Sequence, residues 1–111
     1  MLLLGAHVSA SGGVSNAPLN GKALGCTAIQ LFTKNQRQWS APELTGEETA
    51  LYFDNLKNTG IQSVVAHDTY LINLGSPDRA MRERSLAAFI DEIRRAQRLR
   101  LNGIVFHPGS H

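Results

Sequence analysis

Four apolar runs, LLLGAHV, TAIQLFT, IQSVVAH and GIVFHPG, alternate with three segments of helical character, and three of the runs carry a histidine at or near their ends. Those histidines are His7, His67 and His107. Runs of this kind, bounded by glycine and polar residues, read as buried strands, and their alternation with helices reads as a parallel sheet. The order β-α-β-α-β-α-β leaves two architectures, an open doubly wound sheet or the opening half of a (β/α)8 barrel. Neither G-x-G-x-x-G nor a P-loop lysine follows the first strand, so a nucleotide-binding sheet has little support. A barrel places functional groups at the carboxyl ends of its strands, where these histidines fall. Complete barrels take about 250 residues, whereas this chain has 111. The expected fold is α/β: the N-terminal half of a TIM (β/α)8 barrel, with four strands and three helices. It would form part of one domain over residues 1–111, its C-terminal half absent.

Local signals place the helices. The first runs from about Ala17 to Leu24 and is stopped by Gly25, with Pro18 tolerated in its first turn. Thr45-x-x-Glu48 is a capping-box pattern that opens a second helix carrying Leu51, Phe53 and Leu56 and ending at Gly60. In the third, Ser76 is the expected N-cap, Pro77 the first helical position, and Asp78 a favourable charge at the positive end of the dipole. Leu86, Phe89, Ile90, Ile93 and Gln97 recur at helical spacing as one stripe, and Asp91 and Arg95 form an i,i+4 pair on another face.

Composition narrows the partners only slightly. Hydrophobic residues at 42% allow a real core, and a net charge of +2 with 18% charged residues is compatible with a phosphate-bearing partner without requiring one. The arginines between Arg79 and Arg100 read first as a solvated helix face. Cys26 is the only cysteine, which excludes an intramolecular disulfide, and it reads as a structural thiol. No apolar run is long enough to span a membrane, and MLLLGAHVSA lacks the charged start of a signal peptide. A cytoplasmic location is the expectation.

Imidazole is a good zinc ligand, and groups on neighbouring strand ends converge above a barrel. His67 and His107, on consecutive strands, form the strongest candidate pair. Hydrogen-bonded structural histidines remain the alternative, because no compact ligand motif is present. His7 precedes the glycine-rich SASGG turn, whose backbone N–H groups could face an anion, and a plain turn histidine is equally consistent. His111 is ambiguous in the same way. In KNQRQW, Lys34 and Arg37 accompany the amides Asn35, Gln36 and Gln38 and the aromatic Trp39. These types contact phosphates and sugars and stack on bases, although a polar surface loop has the same composition. Tyr70 and Leu71 follow a strand end and are either core residues or apolar wedges of the kind that enter a base stack.

GAHVSASGG, LFTKNQRQW, HDTYLINLG and FHPGSH, in this order and at these spacings, closely resemble the endonuclease IV-type apurinic/apyrimidinic endonucleases (AP endonuclease family 2). The resemblance runs through essentially the whole chain. It implies a xylose-isomerase-like barrel, a site for three zinc ions, and hydrolysis of the phosphodiester 5′ to an abasic site in duplex DNA during base-excision repair. By the same motifs, His67 and His107 correspond to zinc ligands. Arg37, Tyr70 and Leu71 correspond to residues entering the DNA at the lesion, and His7, Ser9, Asn35 and Gln38 to the DNA-facing surface. The remaining zinc ligands of that family come from later strands. The resemblance therefore implies a nuclease in the complete protein, a monomer, and an inactive chain when these 111 residues stand alone.

Two other readings compete. A metal-dependent sugar isomerase or epimerase shares the barrel and its strand-end metal chemistry, but has no need of the KNQRQW loop or the Tyr70–Leu71 pair. A non-catalytic half-barrel would self-associate, because helices covering one sheet face are expected to leave large apolar side chains exposed on the other.

Overall fold

The computed structural model describes residues 4–33, 39, 42–67 and 71–106. Its elements run β1 (Gly5–His7), α1 (Asn16–Ala23), β2 (Ala28–Leu31), α2 (Gly46–Thr59), β3 (Ser63–His67), α3 (Arg79–Arg98) and β4 (Gly103–Val105). All pairings are parallel, and the strand order in space is β1-β2-β3-β4. A doubly wound sheet reverses its strand order at a switch point. The consecutive order seen here is that of a barrel wall.

Strand alternation divides the sheet into two unlike faces. Ile29, Leu31 and Val64 are buried with Ala17 of α1, Tyr52 of α2 and Leu99, forming the core. The register puts Gln30 opposite His7 and Val65, and Val65 opposite Gly103. The face away from the core therefore carries Ala28, Gln30, Ser63, Val65, Gly103 and Val105, which apart from the two valines are small or polar. This corrects the expectation of large apolar side chains there, because the larger residues of β2 and β3 fall on the helix-covered parity. Val105, opposite His67, is the exposed apolar exception on that face, and other exposed apolar residues include Leu86 and Ile90 on α3 and Phe106 after β4. The Phe106 ring lies 5.1 Å from that of Phe89 on α3.

Helix ends follow the sequence closely, with two shifts. Gly25 and Gly60 stand at the ends of α1 and α2 in the left-handed region, with φ of 77° and 73°, which glycine enters without a Cβ penalty. Thr45 caps α2, its hydroxyl accepting from the Glu48 amide at 3.0 Å. The reciprocal half of the capping box is not made: the Glu48 carboxylate instead accepts from the Ser15 amide at the start of α1, at 2.9 Å. In α3 the N-cap is Asp78, which accepts from the Ala80 amide, and Ser76 accepts from the Asp78 amide.

The buried face of α3 also differs from the expected stripe. It carries Ser85, Ala88, Glu92, Arg95 and Ala96, while Leu86 and Ile90 are exposed. The expected Asp91–Arg95 pair forms at 3.1 Å, but Arg95 is buried and so does not belong to a solvated face.

Candidate functional site

Three aromatic rings stand side by side where β1, β2 and β3 end. His7 closes β1, Phe32 follows β2, and His67 closes β3. The Phe32 ring lies 4.7 Å from His7 and 5.6 Å from His67, edge to face in both cases. The register sets His7 level with Gln30 and Val65, two positions short of His67, and strand alternation puts His7, Phe32 and His67 on one face of the sheet. His7 stays exposed, yet partial desolvation at the strand end lowers its pKa below the ordinary 6.5, and the neighbouring His67 lowers it further. A neutral imidazole is thereby favoured, the form that ligates a metal or accepts a proton.

Beside the row lies a cleft of about 800 Å³ between the β1–α1 turn and the start of α2, lined by His7, Ser9, Gly13, Phe32, Thr33 and Glu48 among others. The turn is held by its own bonds. The Ser11 amide donates to Ser9 Oγ at 3.1 Å, the Gly13 amide to the Ala10 carbonyl at 3.0 Å, and the Ser15 amide to Glu48. Those three N–H groups are already engaged, and a carboxylate lies against the turn. The expected anion cradle is therefore not built from them. Gly13, at φ 138°, has the Glu48 carboxylate where a Cβ would stand.

Leu71 is half-buried just after β3, in a segment tied to α3 by the Asn73 amide, which donates to Ser85 Oγ at 2.8 Å. Among the other expected site residues, Asn35, Arg37, Gln38, Tyr70 and His107 lie outside the described residues, as does His111. His7, Ser9 and His67 are brought to one end of the sheet, as a barrel requires. No group of three or more His, Cys, Asp or Glu placed to hold a metal exists among the described residues.

Phe32, Glu48, Glu92 and Arg95 were not marked as site residues by sequence reasoning. Glu92 accepts from the Thr33 hydroxyl at 2.6 Å, and Arg95 donates to the Pro42 carbonyl at 2.6 Å. A usable signal was the row Ser85, Ala88, Glu92 and Ala96, whose small side chains at helical spacing allow close packing around one carboxylate.

A family model described as a xylose isomerase-like TIM barrel matches residues 20–111. The chain belongs to this family. Within the xylose isomerase-like barrels, it is 57% identical over 113 residues to the probable endonuclease 4 of Campylobacter fetus subsp. fetus (strain 82-40) and 53% identical to that of Chlorobium luteolum. Each alignment covers 100% of this chain and 40% of the relative. The crystal structure of endonuclease IV from Thermus thermophilus superposes with a TM-score of 0.91 at 34% identity, covering 98% of this chain and 41% of that one. The chain thus spans about 40% of the length of the curated relatives it matches, and its fold is that of the N-terminal part of an endonuclease IV barrel. No helix among the described residues is long and apolar enough to cross a membrane.

Proposed function

We propose that this chain carries the DNA-facing strand ends of a zinc-dependent apurinic/apyrimidinic endonuclease, which cleaves the phosphodiester 5′ to abasic sites in duplex DNA. The observation that carries the reading is the His7–Phe32–His67 row at the ends of three barrel strands, in a chain whose relatives are named endonuclease 4.

In this reading His67 and His107 are ligands in a site for three zinc ions. The imidazole of His67 is a donor type that zinc favours, but the described residues do not complete a site, since protein zinc sites use at least three protein ligands. When bound, zinc supplies Lewis acidity to phosphodiester hydrolysis. His7, at one end of the row and favoured in its neutral form, orients without adding positive charge. Arg37, Asn35, Gln38 and Ser9 contact the DNA backbone, and Tyr70 and Leu71 enter the stack at the lesion. With only two of the ligands in hand, the 111 residues alone do not incise DNA.

The test joins these 111 residues to the remaining barrel of the Campylobacter fetus relative. The joined protein, loaded with zinc, is expected to incise a duplex bearing one abasic site on its 5′ side and to spare intact duplex. His67→Ala and His107→Ala should each lower zinc content and incision together. Inert behaviour toward abasic duplex with turnover of an aldose would replace the nuclease by the sugar-isomerase reading.

A further inference from the structure

α3 grips the β2–α2 connection at three points, and two of its gripping side chains are buried charges. At the start of the connection, the Thr33 hydroxyl donates to Glu92 Oε2 at 2.6 Å. Both residues are buried, Glu92 to 1% exposure. At its far end, Arg95 Nη2 donates to the Pro42 carbonyl at 2.6 Å, while Nε donates to Asp91 Oδ2 at 3.1 Å and so fixes the guanidinium plane. Between these ends, the Arg84 guanidinium lies 4.4 Å from the centre of the Trp39 ring. Residues 84, 92 and 95 are spread along one helix, so a single rigid element contacts Thr33, Trp39 and Pro42.

Packing alone does not account for this arrangement. Removing a carboxylate and a guanidinium from water is costly, and apolar residues of similar volume stabilise an interior at least as well. Apolar side chains cannot specify where a hydroxyl and a carbonyl sit on either side of a connection. Short bonds to ionised groups can, because they are both strong and directional.

We propose that Glu92, Arg95 and Arg84 are positioning residues that set where Thr33, Trp39 and Pro42 of the β2–α2 connection sit relative to the strand ends. None of them need touch a ligand. The use of that position for DNA rests on the nuclease reading above, and the experiment separates the two ideas.

Trp39 is the sole tryptophan of the chain and reports on the connection directly. Its emission and its quenching by iodide would be measured in the 111-residue chain, together with affinity for abasic duplex by fluorescence anisotropy. Thr33→Val removes the donor at nearly constant shape, Thr33→Ser restores it, and Arg95→Met removes the far grip. Arg84→Gln acts at an exposed helix position, so the chain folds even if the buried variants do not. Quenching is expected to rise in Thr33→Val, Arg95→Met and Arg84→Gln with the far-ultraviolet circular dichroism unchanged, and to return to wild type in Thr33→Ser. Abasic-duplex affinity should fall about tenfold in the first two, equivalent to about 1.4 kcal/mol. Raised quenching with unchanged affinity keeps the positioning role and removes the DNA reading. Wild-type quenching in all three variants overturns the proposal.

Discussion

His7 and His67 stand on opposite sides of the Phe32 ring, close enough that charge on one opposes charge on the other. Partial desolvation is the larger cause of the lowered His7 pKa, and His67 is the second. A histidine whose folded pKa lies below its unfolded value favours folding most above about pH 6.5, and that contribution is lost as pH falls through the folded value. Proton NMR titration should therefore place the His7 midpoint below 6.5. His67→Ala should raise it, but not fully to 6.5, because the partial desolvation remains. An unmoved midpoint in His67→Ala would show that the two rings are not electrostatically linked.

Tyr52 sits at the centre of the core with its hydroxyl buried and without a hydrogen-bond partner. A buried hydroxyl left unsatisfied costs about 1–3 kcal/mol. Tyr52→Phe removes that penalty and keeps the ring, which also packs edge-on to Phe53 at 5.3 Å. Stability at neutral pH should rise by about 1 kcal/mol, read from urea unfolding. Burial also pushes the Tyr52 pKa up to about 12. Stability is thus fully present below about pH 10 and lost as pH rises through the folded value. The alkaline loss should be shallower in Tyr52→Phe, and equal stability in both proteins at all pH values would contradict the account.

The strand–helix alternation, the glycine stops and the Thr45 cap were legible because each is written in adjacent residues. So was the gathering of His7 and His67 at one end of the sheet, since parallel strands all run out on the same side. The face of α3 was not. Its apolar stripe through Leu86 and Ile90 satisfies helical spacing, but Glu92 and Arg95 are buried for partners at Thr33 and Pro42. Those contacts join residues 59 and 53 positions apart, beyond the reach of any local periodicity. Glu48 escaped for a similar reason, because its pattern predicts a bond within α2 and its carboxylate reaches α1.

Exposed apolar side chains on α3 and at the end of β4 carry the next expectation. Leu86, Ile90 and Phe106 are 52%, 40% and 46% exposed, and Phe89 joins Phe106 in one patch. Contiguous apolar surface of this kind drives association. The 111-residue chain should self-associate in sedimentation equilibrium, and Leu86→Lys with Ile90→Lys should shift it toward monomer. A wild-type chain that stays monomeric at high concentration would show that this patch is too small to drive association.

DNA recognition separates the nuclease reading from the sugar-enzyme alternative. Leu71 is half-buried beside the end of β3, and the bond between Asn73 and Ser85 ties its segment to α3. A wedge needs such backing, because opening a base stack costs a few kcal/mol per step, less where a base is already missing. Tyr70→Ala and Leu71→Ala should therefore reduce discrimination between abasic and intact duplex more than they reduce affinity for intact DNA. Arg37→Ala, which removes a charge from the KNQRQW loop, should weaken binding to both duplexes and flatten the salt dependence, as loss of one phosphate contact does. The measurement is paired: both duplexes, each variant, over one series of salt concentrations. Discrimination and salt slope unchanged in all three variants would exclude these residues from DNA contact.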